Sequence, residues 1–232
     1  MEGEYKMYIT SKTATEAWDK CYEELMLQYM SGFKQPSRGG DIVGEVLGAV
    51  IVIENAKKGV VTSPTRHMDM NYATGELMWY LSGSNKLKDM SQYSKFWNKI
   101  SDDGETLNSA YGYRITKEFG FNQWNYVKGL LLADPLSRQA VIHIKQPDMT
   151  PTKDMPCTCT IQYLVRDNKL NCIVYMRSND IWLGVPYDWF AFTSLQVKMA
   201  MELRYEIGSY THIAGSLHLY ERDVLKSGHT KD

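Results

Sequence analysis

The chain has 232 residues, of which 44% are hydrophobic and 23% charged, and its formal net charge is -1. It is long enough to bury a sizeable core without disulfides or a structural metal, and its composition is that of an ordinary globular protein. The near-zero charge excludes a broad basic field for gripping a nucleic acid backbone, so an anionic substrate would have to be held by a few placed arginines.

From Met1 to Thr15 the chain is polar and charged. It lacks the apolar core of a signal peptide, and no later run is long enough to span a bilayer, so a cytoplasmic protein with no membrane partner is expected. In a reducing compartment Cys21, Cys157, Cys159 and Cys172 would stay free thiols. They form no paired C-x-x-C elements and no histidine sits at zinc-ligand spacing, so no metal site is expected.

Apolar residues at Trp18, Tyr22, Leu25, Met26 and Tyr29 predict a helix over Thr13 to Met30, stopped by Gly32. Gln35 to Asp41 reads as a Pro- and Gly-rich loop, and the Val- and Ile-rich stretch Glu45 to Glu54 as a buried strand. Tyr72 to Leu81 and Asn122 to Ala133 read as helices, the second ended by Asp134-Pro135. Ala140 to Ile144 is a candidate strand. Thr160 to Arg166 and Leu170 to Arg177 make a hairpin around Asp167-Asn168-Lys169. Tyr187 to Glu206 is a long apolar helix closed by Gly208, and His212 to Tyr220 is a short mixed segment. Helices and strands intermingle without a βαβ rhythm, which predicts an α+β fold.

Three stretches carry residue types suited to chemistry. In Met155 to Tyr163, Cys157 directly follows Pro156 and leads into a strand, which would hold the thiol on a stiffened turn. A nucleophile there needs a nearby cation to favour the thiolate. A buried structural cysteine is the ordinary alternative. In Tyr175 to Asp188, Arg177 and Ser178 offer a fork of donors and a hydroxyl to a phosphate, while Asp180 and Asp188 bracket a Gly-Val-Pro turn. The ordinary alternative makes Asp188 a helix N-cap and Arg177 a surface residue. In Gly215 to Tyr220, His218 and Tyr220 would share one side of a strand. Each stretch is weak alone.

Their order resembles the thymidylate synthase family. The resemblance extends back through Glu76 to Tyr80, Phe96-Trp97, Asn108 to Gly112 and Asp134 to Arg138, and covers residues 36 to 223. It implies one catalytic domain over residues 1–232, a mixed sheet flanked by helices, and a homodimer packed through its sheets. It also implies an enzyme that joins the one-carbon unit of 5,10-methylenetetrahydrofolate, a co-substrate, to C5 of a pyrimidine nucleotide. By that resemblance Cys157 is the nucleophile that adds to C6, breaking the ring's conjugation and making C5 electron-rich. Arg177 and Ser178 hold the phosphate, Arg138 reaches the partner's phosphate, and Arg38 is a mobile-loop arginine. His218 and Tyr220 bind ribose hydroxyls, and Gln162 lies beneath the nucleotide. Asp180 binds the folate pterin, Trp97 packs along the folate, and Glu76 and Tyr111 belong to the network that moves protons. A catalytically silent binding protein is the alternative of another class, and retention of Cys157, Glu76, Arg177 and His218 argues against it.

Departures from the family's usual pattern refine the expectation. Methylating members have Asn where this chain has Asp188. An amide complements O4 and N3–H of uracil, whereas a carboxyl group that shares a proton with N3 complements cytosine. Thr158 stands for the usual His, and Met176 for the usual Gln. The chain stops soon after Tyr220, without the segment that closes over folate in methylating members, which would let water finish the reaction. These features match the branch that hydroxymethylates dCMP; a methylase or hydroxymethylase acting on dUMP or on CMP is the alternative. Two features differ: Gln139 stands where the family usually has a second phosphate arginine, and Val185-Pro186 looks like the methylating branch rather than the hydroxymethylating one.

Overall fold

A computed structural model of the chain describes residues 6–32, 34–37, 39–147 and 152–226. Arg38 lies outside the described residues.

The first long helix, α1 (Ala14–Met30), starts where the sequence predicts: Thr13 caps it by accepting the Glu16 N–H at 3.2 Å, and Glu16 accepts the Lys12 N–H in return. Its apolar face packs on β3 (Ile42–Ile53), which extends three residues beyond the predicted strand start. Strand β1 (Tyr8–Ser11) runs parallel to β3 on one side. Part of the predicted loop is a short strand, β2 (Lys34–Pro36), because Lys34, Gln35 and Pro36 pair with Gly44, Val43 and Ile42.

Five helices follow: α2 (Met70–Ser82), α3 (Leu87–Ser91), α4 (Phe96–Ile100), α5 (Tyr111–Thr116) and α6 (Gln123–Ala133). Asp69 and Asn122 cap α2 and α6 with side-chain oxygens. A Cβ on Gly112 would lie 1.9 Å from the Tyr80 carbonyl oxygen, so α5 can close against α2 only because that residue is glycine. The contact aligns Tyr111 beside Tyr80, with ring centroids 5.3 Å apart.

Next come β4 (Val141–His143), β5 (Thr158–Arg166), β6 (Lys169–Met176), β7 (Asn179–Asp180), α7 (Val185–Leu203), β8 (Glu206–Tyr220) and α8 (Glu221–Lys226). The β5–β6 turn is tighter than predicted: Asp167 and Asn168 alone form it, at φ 51° and 59°, and Lys169 already pairs with Arg166. Both residue types tolerate the left-handed region that a two-residue hairpin demands. The long helix ends at Leu203, where Arg204 takes a left-handed cap at φ 60°, not at Gly208. Gly208 lies inside β8, and a Cβ there would sit 2.4 Å from Asn171 Oδ1. It marks a close approach of strands rather than a helix stop. The final segment is also a 15-residue strand, not a short mixed one. Its core-facing positions Gly208, Tyr210, His212 and Ala214 are too varied to show apolar alternation in sequence.

Among the described residues the eight strands form one mixed sheet in the order β1-β3-β8-β6-β5-β4, with β2 beside β3 and β7 beside β8. Helix α7 covers the β6–β8 region of one face, fastened by Gln196, whose amide donates to the Leu170 carbonyl at 2.9 Å and the Ser209 carbonyl at 3.0 Å. Trp18, Tyr163, Trp189, Phe192 and Tyr210 are fully buried in this core. Each contributes roughly 1.5–3 kcal/mol by leaving water. On the opposite face, β5, β6 and β8 present half-buried residues such as Gln162, Ile173, Thr211 and Ile213. The α+β architecture agrees with the sequence reading.

Candidate active site

A cavity of about 760 Å³ opens where β5, β6, β7, the start of α7 and the end of β8 meet α2, α4 and α5. Ten of the residues singled out in the sequence line it: Glu76, Trp97, Tyr111, Cys157, Arg177, Ser178, Asp180, Asp188, His218 and Tyr220.

Cys157 is half-buried at the mouth of β5, on the turn that follows Pro156. Arg177, one residue past β6, reaches across to it. The guanidinium donates to the carbonyls of Pro156 and Met155, both at 3.0 Å, and its Nη2 lies 3.6 Å from the Cys157 Sγ. The same residue's N–H donates to the Cys157 carbonyl at 2.9 Å. Arg177 thus fixes the thiol's turn as well as placing a cation beside it. Burial raises the thiol's pKa and outweighs the lowering by Arg177, with Asp188 and Asp154 adding to the rise. In the ligand-free cleft the expected thiolate is therefore not the resting form.

Two carboxyls line the cavity wall, the buried Glu76 and the half-buried Asp188. Glu76 on α2 accepts from Tyr72 Oη at 3.3 Å, and burial together with the nearby Asp188 pushes its pKa up to about 8. Asp188, four residues into the α7 region, is not the helix cap, because Gly184 occupies that position. Its Oδ2 accepts from the Asn179 amide at 3.0 Å. Burial pushes Asp188 up to about 7; the Asn179 N–H opposes this and Asp180 reinforces it. Tyr111, at the start of α5, accepts the Thr158 N–H at 3.2 Å, joining the helical wall to the residue after the thiol.

At the far side, β7 pairs with β8 so that Asp180 stands opposite His218. Asp180 Oδ1 accepts the N–H groups of Trp182 and Leu183, at 2.8 and 3.0 Å, and thereby shapes the turn into α7. The rings of His218 and Tyr220 meet edge to face with centroids 5.2 Å apart, as two residues on one side of a strand should. Burial lowers the His218 pKa, against the opposing influence of Asp180. Trp97 packs against Trp79 with centroids 5.5 Å apart, next to the exposed ring of Phe96, giving the cavity an aromatic wall. A flat heteroaromatic molecule fits such a wall.

Gln162 and Arg138 do not line the cavity. Gln162 alternates with the buried Ile161 and Tyr163, so it falls on the outer face of β5, where its amide donates to the Arg138 carbonyl at 2.9 Å. Arg138 is exposed beside it. Other lining residues had no sequence signal pointing to them. Arg66 donates to the Trp182 carbonyl at 2.9 Å, and Arg222 stacks over the Tyr220 ring at 4.0 Å while pairing with Asp41 at 3.0 Å. Asn179, between Ser178 and Asp180, also lines the cavity, and its amide type alone carries no signal of a role. Among the described residues, no group of three or more His, Cys, Asp or Glu side chains is arranged to hold a metal, and no helix is long and apolar enough to cross a membrane.

The two raised carboxyls make stability depend on pH in a definite sense. The folded chain keeps protons at Asp188 and Glu76 that the unfolded chain, with ordinary pKa values of 3.8 and 4.5, has released. Their stabilisation is complete below about pH 4 and is lost as pH rises through 7 to 8. For Asp188 alone the loss between pH 5 and 9 is at most roughly 3 kcal/mol. Thermal unfolding of the ligand-free protein should show a falling melting temperature over that range. Asp188→Asn should flatten the fall; an identical slope in the variant would contradict the assignment.

The thymidylate synthase family model matches residues 20–229. The chain is 33% identical over 172 residues to the deoxycytidylate 5-hydroxymethyltransferase of Enterobacteria phage T4, covering 68% of this chain and 70% of that protein. The phage T6 protein of the same name matches equally. The deoxyuridylate hydroxymethyltransferase of Bacillus phage SP01 is 30% identical over 199 residues, which is 79% of this chain but only 52% of that relative. With a cleft that gathers these side chains and matches of this extent, the chain belongs to the thymidylate synthase family, folate-dependent enzymes that transfer a one-carbon unit to C5 of a pyrimidine nucleotide.

Proposed function

We propose that the protein converts dCMP to 5-hydroxymethyl-dCMP. The observation that carries this reading is Asp188: a carboxyl at the cavity wall, pushed up to about 7, at a position where an amide would suit uracil. At neutral pH it can accept from the cytosine N4 amino group and share a proton with N3. The proton draws electrons from the ring and eases attack at C6.

In this reading Cys157 adds to C6 as the thiolate and leaves enamine-like electron density at C5. Arg177 and Ser178 hold the phosphate, and His218 and Tyr220 the ribose hydroxyls. When bound, 5,10-methylenetetrahydrofolate supplies an electrophilic carbon at the oxidation level of formaldehyde; Trp97 and Asp180 border the space for it. After C5 has captured that carbon, Glu76 and Tyr111 belong to the network that takes up the C5 proton, while the bond from the captured carbon to the folate nitrogen breaks and tetrahydrofolate leaves, so that an exocyclic methylene remains on C5. Hydroxide then adds to the exocyclic methylene and the Cys157 thiolate is expelled, so the sequence is redox-neutral and consumes one water. The relatives named for hydroxymethyl transfer, with Thr158 and Met176, support water rather than hydride as the final donor.

We further propose a homodimer packed through the outer sheet face, where exposed Tyr175 and Leu47 flank half-buried Ile173 and Ile213. Exposed Arg138 would then serve the partner's phosphate. The second reading is the same chemistry on dUMP, favoured by the phage SP01 relative and by Val185-Pro186.

The test is mass analysis of products from dCMP, CMP and dUMP, with identification of the spent folate. Hydroxymethyl-dCMP with tetrahydrofolate is expected. A methylated product with dihydrofolate would replace water by hydride, and exclusive turnover of dUMP would establish the second reading.

A further inference from the structure

The oxygen atoms of Asp188 are not equivalent, and the reason lies in a buried chain behind it. Asn179 is buried at the start of β7, and its amide nitrogen lies within reach of three atoms: Met176 Sδ at 2.9 Å, Asp188 Oδ2 at 3.0 Å and His212 Nε2 at 3.4 Å. Met176 Sδ can only accept, and so can an ionised Asp188. An amide nitrogen suits that site, whereas a carbonyl oxygen would face acceptors there. The orientation holds only if His212 Nε2 also accepts.

His212 satisfies that condition. It is fully buried in β8, and burial holds its pKa at about 3, so the ring is neutral. Its Nδ1 lies 3.0 Å from Tyr210 Oη, a hydroxyl able to accept, so the ring proton can sit on Nδ1 and leave Nε2 as the acceptor that the Asn179 amide requires. Gly184 completes the fit, because a Cβ there would lie 2.8 Å from Asn179 Oδ1 and 3.3 Å from Asp188 Oδ2.

We propose that Asn179 and His212 are positioning residues for the reaction: the neutral imidazole locks the Asn179 amide so that it donates to Oδ2 of Asp188, leaving Oδ1 as the oxygen that exchanges a proton with the base. This rests on the reading of Asp188 as the residue that recognises the base. The titratable groups around Asp188 are Glu76, Tyr72 and Tyr80 on α2, Tyr111 on α5, Cys157, Asp180 and Tyr210. None is a cation. The Asn179 N–H is therefore what favours the ionised carboxylate against its burial, and it keeps Asp188 exchangeable near neutrality rather than permanently protonated.

The test is a carbon-13 NMR titration of the aspartate carboxyls in ligand-free protein, with the Asp188 signal assigned by its loss in Asp188→Asn. Asn179→Ala and His212→Phe should each move the Asp188 midpoint upward by at least half a pH unit. His212→Gln, which keeps an acceptor, should restore most of the difference. The alkaline limb of kcat/KM for dCMP should move with the midpoint, a change that simple loosening of the core would not produce. An unmoved midpoint in Asn179→Ala, with melting close to wild type, overturns the proposal even should His212→Phe fail to fold. A shifted midpoint in an enzyme that prefers dUMP would instead refute the base assignment and leave the positioning pair standing.

Discussion

Cys157→Ser is expected to lower turnover by about a thousandfold or more, the largest effect of any single substitution proposed for this chain. A thiol can supply a small thiolate fraction near neutrality even when burial opposes it, and Arg177 at 3.6 Å assists. A serine hydroxyl in the same place would face the same guanidinium, which donates hydrogen bonds and cannot take a proton. Its alkoxide would be rarer by several orders of magnitude. The exchange removes no packing volume to speak of, so nucleotide binding should survive. Release of tritium from C5-labelled dCMP in the presence of methylenetetrahydrofolate measures the loss, and nucleotide-induced thermal stabilisation shows that the site remains formed. Turnover of the serine enzyme at the wild-type rate would refute covalent attack by this sulfur.

The second large effect is on base choice. Asp188→Asn exchanges a carboxyl that can share a proton for an amide of fixed polarity, leaving the cytosine N4 and N3 groups mismatched. Each buried unpaired group costs about 1–3 kcal/mol, so kcat/KM for dCMP should fall by roughly a hundredfold or more. Activity on dUMP should rise, since the amide donates to O4 and accepts from N3–H. The ratio of the two kcat/KM values is the measurement, taken near pH 7 where the wild-type carboxyl is close to its midpoint. The same preference in both enzymes would place the selection elsewhere. Asn179 donates to the side chain at this position, so the effect is not additive with substitutions there.

Local rules read most of the framework correctly. The starts of α1 and α6, the apolar stripe of α1 and the Val- and Ile-rich β3 are stated by neighbours in sequence, where spacing and backbone preference act directly. The errors came where a residue served a distant partner. Gly208 reads as a helix stop because glycine commonly ends helices, yet it makes room for Asn171 thirty-seven positions earlier, on β6. The strand β8 was hidden because His212 and Gly208 sit at core-facing positions, and only neighbouring strands make them buried.

By itself the sequence determined which side chains have chemistry to offer: a thiol after proline, an arginine after a strand, and an aspartate where an amide is usual. It did so because motif order and residue type are local properties of the chain. Tertiary structure alone decided how those groups act on one another. It brought Arg177 to Cys157, set Glu76 near Asp188, and put Asn179, His212 and Tyr210 in a line behind the carboxyl. Burial and through-space charge, which govern proton affinity, depend on distance and on excluded water, and neither can be read from separation along a chain.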